Sequence, residues 1–510
     1  MKRYKYIIIV TLLFACSANE KTPEANQDNY VEILPTDSKD EIIRKAASVT
    51  PSTRQMAWQE LEFTSFICFG INTFTNREWG DGKEDPQLFN PERLDAGQWV
   101  KTCKAAGMKL MLLTCKHHDG FCLWPSKYTD FSVASSPWKD GKGDVVEELA
   151  NACREQGIKL AVYLSPWDRN SAVYGTDEYN DYFVNQLTEL LTNYGEVAEV
   201  WFDGACGEGP NGKKQVYDWQ RYYKTIRHLQ PNAVIAVMGP DVRWVGTESG
   251  YGRDTEWSVV PVSIQDEDDI ATRSQQLSGT FRPAIDAMTK DLGSREKLFG
   301  SQKLVWYPSE VDVSIRPGWY YHASQDSLVK TSEKLVDIYY NSIGMNSLLL
   351  LNLPPDKRGL IHENDVKSLM GMKKVIDETF SVNLAANARC KDRKLLSPQE
   401  VKSLTDDDYM TYWMAEKETP SIELTLEGKK TFDRILLQEK ITVGQRVEKF
   451  KLEAKIDGDW KLITEGTTIG YKRLLRIPEV TTDKVRLIIL QSRATPALAE
   501  FGLYKSPNSF

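Results

Sequence analysis

The chain has only five histidines, no Cys-x-x-Cys pair, no surplus of basic residues, no apolar run of membrane-spanning length, and no Gly-x-Gly-x-x-Gly after its first predicted strand. Each absence excludes something. Its 64 Lys and Arg fall short of its 72 Asp and Glu, a formal net charge of −8. That balance argues against a nucleic-acid backbone as partner, because phosphate binding needs clustered cations. The eight cysteines stand at 16, 68, 103, 115, 122, 153, 206 and 390, and Cys103, Cys115 and Cys153 lie in apolar periodic segments. Buried small hydrophobes are therefore expected, rather than disulfides or a zinc centre. The missing glycine fingerprint weakens the case for a doubly wound dinucleotide-binding sheet.

The longest apolar stretch near the N-terminus, YIIIVTLLF, is far shorter than the roughly 20 residues that span a bilayer. It follows Lys2, Arg3 and Lys5 and ends in Leu13-Phe14-Ala15-Cys16, the pattern of a bacterial lipoprotein signal in residues 1–16 with Cys16 as the lipid-bearing residue. The expectation is an exported lipoprotein of the periplasm, outer membrane or cell surface, touching a membrane only through its lipid. Residues 17–50, rich in Asn, Glu, Asp, Lys and Thr, read as a flexible tether.

What the chain does have is length and aromatic mass. Its 510 residues suit a large barrel plus an accessory module, and aromatics make up 10%, with 14 Trp and 22 Tyr. An acidic, aromatic-rich protein suits sugars, whose C–H faces stack on rings while their hydroxyls need carboxylates, amides and imidazoles. From about residue 60, buried strands alternate with amphipathic helices. TSFICFGIN (64–72), KLMLLTC (109–115), IKLAVYL (158–164), VAEVWF (197–202), AVIAVM (233–238), LVWYP (304–308) and SLLLLNLPP (347–355) read as seven strands. Helical stripes such as Val145, Val146, Leu149, Ala150 and Cys153, stopped by Gly157, separate them. The pattern predicts an α/β fold with a parallel sheet covered on both faces, and length favours a (β/α)8-like TIM barrel over residues 51–384. The segment 250–302 is polar and shows no clear strand.

From about residue 385 the apolar period changes to two, as in Ile422, Leu424 and Leu426 and in Phe450, Leu452, Ala454 and Ile456, followed by an Asp457-Gly458 turn. Residues 385–510 thus read as an all-β sandwich. No spacing of oxygen ligands there is diagnostic of Ca²⁺, and no other metal or cofactor is expected.

In a parallel barrel the chemistry gathers at the C-terminal strand ends, where polar residues converge here: CKHHDGF, SPWD, WFDG, GPDVRWVGTE and YPSEVDVSIRPGW. His117 and His118 are adjacent at one such end and are read as ligand-binding, while Asp119 serves equally as a turn cap. Asp203 closes an apolar strand, where a charge is costly unless paired, hydrated or used, and Gly204 after it would allow a sharp turn. Hydrolysis of a glycosidic bond needs two carboxyls, and Glu248 fits the second role, with Asp241 and Glu310 as competitors. Trp319, in a Pro-Gly turn, is a candidate platform, whereas Trp167 and Trp244 suit the core. Asp168 and Arg169 read as an ordinary loop pair.

Together FGINTFTNREWGDG (69–82), CKHHDGFCLWPSKYTDFSV (115–133), YLSPWDRN (163–170), EVWFDGA (199–205), MGPDVRWVGTESG (238–250), PSEVDVSIRPGWYYH (308–322) and NSLLLLNLPPDKRGLI (346–361) resemble the retaining α-L-fucosidases of glycoside hydrolase family 29, in the subgroup preferring α-1,3 and α-1,4 linkages. The C-terminal part resembles discoidin-like, F5/8 type C modules. The resemblance implies an exo-acting hydrolase of fucosylated oligosaccharides or glycoconjugates, with Asp203 as nucleophile and Glu248 as acid/base. It also implies that His117 and His118 hold fucose hydroxyls, that Trp319 packs on the sugar, and that Glu78, Trp79 and Arg243 line the pocket. Cys68 departs from the pattern, since many relatives carry His there, and a thiol is a poor donor. That departure keeps two alternatives in view: a catalytically weak glycan-binding lipoprotein, or a retaining glycosidase of the same fold acting on a related sugar.

Overall fold

The computed structural model describes residues 29–274, 291–390 and 396–507. The expected leader with Cys16, the first part of the tether, and residues 275–290 of the irregular segment lie outside the described residues.

In chain order the strands of the N-terminal part are β1 (Tyr30–Glu32), β2 (Phe63–Ile67), β3 (Leu110–Lys116), β4 (Lys159–Leu164), β5 (Val197–Phe202), β6 (Val234–Val237), β7 (Arg243–Trp244), β8 (Val259–Pro261), β9 (Lys303–Trp306), β10 (Ser309–Ser314) and β11 (Leu348–Asn352). Eight of them form one sheet in the order β6-β5-β4-β3-β2-β11-β10-β7. The pairings between its named strands are parallel. The two ends of that order meet through a parallel bridge between Ala236 and Val242, so the sheet comes close to closing as a TIM-like barrel. Helices cover it outside. That over Val145–Gln156 shows why they form: Asp144 caps the first turn by accepting from the Glu147 N–H, Val145, Val146, Leu149, Ala150 and Cys153 are buried, and Gly157 ends the helix at φ 71°.

Two expectations change. LVWYP does not enter the barrel. Most of it is β9, the middle strand of a separate antiparallel sheet, β1-β9-β8, and the barrel strand is the neighbouring SEVDVS of β10. The acidic residues of β10 alternate because they face the barrel interior: Glu310 accepts from Trp201 Nε1 at 2.7 Å, and Asp312 accepts from Trp244 Nε1 at 2.8 Å. The described part of the tether is also folded. β1 pairs with β9, and the helix Lys39–Ser48 buries Ile42, Ile43 and Ala46 against Val259, Leu298, Leu304 and Trp306. The helical spacing of those apolar residues offsets the polar composition on which the tether reading rested.

The C-terminal part is antiparallel, built from β12 (Arg389–Cys390), β13 (Trp413–Met414), β14 (Ser421–Glu439), β15 (Val447–Ile456), β16 (Asp459–Gly466), β17 (Arg473–Ser492) and β18 (Ala497–Tyr504). β14 and β17 pair along three stretches separated by two register shifts, so each long strand bends to serve both layers of a sandwich. Its core holds Ile422, Leu424, Leu426, Phe450, Leu452, Val485 and Leu487.

The sandwich is bonded to the barrel through the segment after Glu248. Glu256, 1% exposed, pairs with Arg243 and Arg253. Its backbone oxygen accepts from Gln445 Nε2 at 2.9 Å and from Asn346 Nδ2 at 3.1 Å, and its N–H donates to Thr468 Oγ1 at 3.1 Å. Nearby, the Arg493 guanidinium lies 3.4 Å from the ring centre of Trp257. Removing one member of a buried ion pair leaves the other charge uncompensated, at a cost of about 3–5 kcal/mol. Glu256→Ala should therefore lower stability by about that amount in a urea titration. A midpoint equal to that of the unmodified chain would show that this cluster does not stabilise the junction.

Candidate active site

The strand ends bring most of the expected residues into one network of contacts. Asp203 follows β5, with its side chain 22% exposed. Its Oδ2 accepts from the Tyr163 hydroxyl at 2.9 Å, and its Oδ1 accepts from the Ala205 N–H at 2.8 Å. Gly204 does not adopt a left-handed conformation, so the turn needs no special freedom there. What matters is the next N–H, which comes back to the carboxylate. Burial raises the proton affinity of Asp203, opposed by the Ala205 N–H and the Tyr163 hydroxyl.

Glu248, beyond β7, is exposed, and its Oε2 accepts from Trp319 Nε1 at 3.2 Å. The protein mass around the carboxyl pushes its pKa up to about 7; the Trp319 N–H opposes this, and the charges of Asp203 and Glu78 add to it. Asp203 and Glu248 therefore act on one electrostatic site.

His117 and His118 follow β3, with ring centres 4.1 Å apart. Burial holds both below the usual imidazole range, His118 at about 3 with a further push from Arg169. Both rings are neutral at neutral pH. The Ser165 hydroxyl donates to the Trp167 carbonyl at 2.7 Å, so it accepts from His118 Nδ1, 2.8 Å away. His118 Nε2 is then a lone-pair acceptor, 3.7 Å from Asp203 Oδ2. His117 stacks on Tyr163 with ring centres 5.8 Å apart, and its buried Nδ1 has no hydrogen-bond partner among the described residues.

Trp79 meets His118 edge-on at 5.1 Å and Trp167 at 5.6 Å. Trp319 packs on Phe66, 5.7 Å between ring centres, and its backbone N–H donates to Glu78 Oε2 at 2.8 Å. Cys68 lies beneath, 3% exposed. Burial raises its thiol strongly, with further contributions from Glu78, Asp203, Glu248 and Asp312, so the thiol shares the field of all four carboxyls.

Arg243 is not brought to this group. Its Nε donates to the Tyr307 carbonyl at 3.0 Å, and its Nη2 is bonded to Glu256 and the Trp257 carbonyl, in the junction with the sandwich. The two residues of β7 alternate, so Trp244 takes the interior and Arg243 the outside. Asp241, a competitor for the second carboxyl, is bonded to Arg227 and to the Ile235 N–H. Glu310 lies inside the barrel, 0% exposed, beside buried Glu199; burial raises both, and Glu199 raises Glu310 further. Asp119 is a turn residue, accepting from the Phe121 N–H at 2.7 Å and from Asn72 Nδ2 at 2.9 Å. Asp168 is more than a loop pair: it binds buried Lys116 at 3.0 Å and accepts from the N–H groups of Asn170 and Ser171.

Sequence reasoning missed Tyr163 and Asp312. Tyr163 sits inside an apolar strand, and the polar alternation of SEVDVS is the signal that could have found Asp312.

Residues 52–378 match the alpha-L-fucosidase family, and residues 394–501 match the F5/8 type C domain. The chain is 42% identical to alpha-L-fucosidase 1 of Arabidopsis thaliana over 465 residues, covering 89% of this chain and 87% of the relative. A crystal structure of a putative alpha-L-fucosidase from Bacteroides ovatus superposes with a TM-score of 0.82 at 52% identity, over 94% of this chain and 78% of that one. A glycoside hydrolase 29 fucosidase of Ruminococcus gnavus, solved in complex with fucose, superposes with a TM-score of 0.76 at 31% identity, over 90% of this chain and 96% of that one. Nearly closed barrel, antiparallel sandwich and matched segments lead to one conclusion: the chain belongs to the alpha-L-fucosidase family, glycoside hydrolase family 29, and carries a C-terminal F5/8 type C domain.

Proposed function

We propose that this chain is an exo-acting, retaining α-L-fucosidase that removes terminal α-1,3- or α-1,4-linked L-fucose from glycans by double displacement. The observation that carries this reading is the pair Asp203 and Glu248, held on separate strand ends with Glu248 raised to about 7 partly by the charge of Asp203. In the first step Asp203 attacks the anomeric carbon, Glu248 gives its proton to the departing oxygen, and the glycosidic bond breaks as an ester to Asp203 forms. Forming the ester removes the negative charge of Asp203. Glu248 then becomes more acidic and, as carboxylate, takes a proton from the water that cleaves the ester. Fucose leaves with its anomeric configuration retained.

The neighbours support these roles. Tyr163 and the Ala205 N–H hold the Asp203 carboxylate in place. A neutral His118 offers a lone pair at Nε2 to a sugar hydroxyl, and a neutral His117 does not cancel the charge that keeps Glu248 protonated. Trp319 and Trp79 supply apolar walls, which suit a sugar bearing a methyl group at C6. A ring bound over Glu248 would displace water from its carboxyl and strengthen its hold on the proton. Cys68 takes up little room and donates weakly, so the remaining hydroxyl contacts fall to the two histidines and Glu78.

Asp203→Ala should lower turnover by about a thousandfold or more, while Glu248→Ala should lose about a hundredfold or more on natural glycans and far less on activated aryl fucosides. Proton NMR of the first turnovers should show the α anomer of fucose first, with α-1,3/1,4-linked glycans cut faster than α-1,2-linked ones. Equal losses on both substrate types, or the β anomer first, would reject the mechanism.

The pH profile gives a second test. Glu248 must be protonated for the first step, so kcat/KM should fall as pH rises through about 7. The Trp319 N–H favours ionised Glu248, so removing it in Trp319→Phe should raise that pKa and move the alkaline limb to higher pH. A limb that stays or moves lower would contradict the assignment of Glu248.

We further place the enzyme outside the cytoplasm as a lipoprotein, on the strength of the charged, apolar and Leu-Phe-Ala-Cys leader. Labelled palmitate should enter the expressed full-length protein in bacteria, and Cys16→Ala should abolish it; labelling that persists would exclude Cys16 as the anchor.

A further inference from the structure

A chain of contacts runs from His322 to Glu248. His322 Nδ1 lies 2.8 Å from Asn76 Oδ1, and its Nε2 lies 2.6 Å from Glu78 Oε1. The other oxygen of Glu78 accepts from the backbone N–H of Trp319 at 2.8 Å and, at 3.4 Å, from that of Tyr320. From the same residue the Trp319 indole N–H reaches Glu248. The Glu78 carboxylate also lies against Gly318: a Cβ there would come within 2.1 Å of Glu78 Oε1, so the glycine leaves the space that the carboxylate occupies. On the far side Asn352 Nδ2 donates to the Trp319 carbonyl at 2.7 Å, so the backbone of this one residue is held from two directions.

The side chain of His322 is 10% exposed, whereas that of Glu78 is 40% exposed. An exposed carboxylate has many rotamers, and holding it in one costs conformational entropy unless a partner fixes it. His322 is that partner, and Asn76 fixes the ring in turn. His322 itself caps nothing: it precedes the short 3₁₀ turn Ala323–Gln325 without a side-chain cap bond.

We propose that His322 is a positioning residue for the acid/base. It locks the Glu78 carboxylate onto the Trp319 backbone, which holds the indole N–H on Glu248 and aims the Glu248 proton at the departing oxygen. The inference rests on the hydrolase reading above, and it concerns a residue that, among the described residues, is hydrogen-bonded to neither Asp203 nor Glu248. The geometry predicts an asymmetry. Loss of aim matters where the leaving oxygen needs a proton and matters little where it leaves readily without one.

The test uses two variants of the full chain. His322→Leu removes both ring nitrogens while keeping apolar bulk, and His322→Gln restores a donor toward Glu78. Hydrogen exchange followed by mass spectrometry on the peptide that carries the Trp319 and Tyr320 amides needs no substrate. There His322→Leu should speed exchange by about tenfold or more, and His322→Gln should return it toward the unmodified rate. In turnover, His322→Leu should lose about tenfold or more in kcat on a natural fucosylated glycan and less than about threefold in kcat on an activated aryl fucoside, any rise in KM through Glu78 being shared by both, with Gln recovering most of the kcat loss. Unchanged exchange in His322→Leu would overturn the tether. Equal losses on the two substrates, or no recovery with Gln, would overturn the role in aiming the proton. An unmodified chain that releases no fucose would refute the hydrolase reading instead, and the exchange measurement would still decide the tether.

Discussion

The negative charge of Asp203 strengthens the hold of Glu248 on its proton, and the surrounding residues are arranged around that repulsion. On one side, the Tyr163 hydroxyl and the Ala205 N–H favour charge on Asp203. On the other, the protein mass around its carboxyl and the negative charges of Asp203 and Glu78 favour a proton on Glu248. The two buried histidines belong to the same constraint. As cations they would screen Asp203 from Glu248 and lower the affinity of Glu248 for its proton, and burial keeps them neutral. A mutation that exposes the two histidines to water would thus disturb several groups together.

Much of the architecture was legible because its signals are local. Helix stripes ended by residues such as Gly157, and long apolar strands such as β3 and β11, follow from periodicity and turn chemistry. β10 was not legible as a barrel strand because Glu310 and Asp312 break the apolar run that buried parallel strands usually show. Their partners, Trp201 and Trp244, come from other strands and are met only once the barrel curves round. β7 is two residues long and offers no period at all.

The site divides along the same line. Asp203, His117 and His118 stand at the ends of long strands, where strand-end logic applies, and the structure places them together. Arg243 lies close to Glu248 in sequence, yet the alternation of an extended chain turns it to the opposite face and into the junction with the sandwich. Tyr163 and Asp312 act from within strands. Their importance depends on which face closes inward, which one sequence does not reveal for a buried strand. The folded helix Lys39–Ser48 was hidden differently: polar composition outweighed a short apolar stripe in the reading of residues 17–50.

The seam of the barrel has a further consequence. β6 and β7 meet through the bridge between Ala236 and Val242 and the bond from the Val237 N–H to the Val242 carbonyl, so the sheet is thinnest beside the strand that leads to Glu248. Arg243 on that strand is clamped by Glu256, whose backbone is bonded in turn to Gln445 and Thr468 of the sandwich. The appended domain therefore buttresses the weakest wall of the catalytic one, and an evolutionary exchange of this module for another would have to rebuild that support.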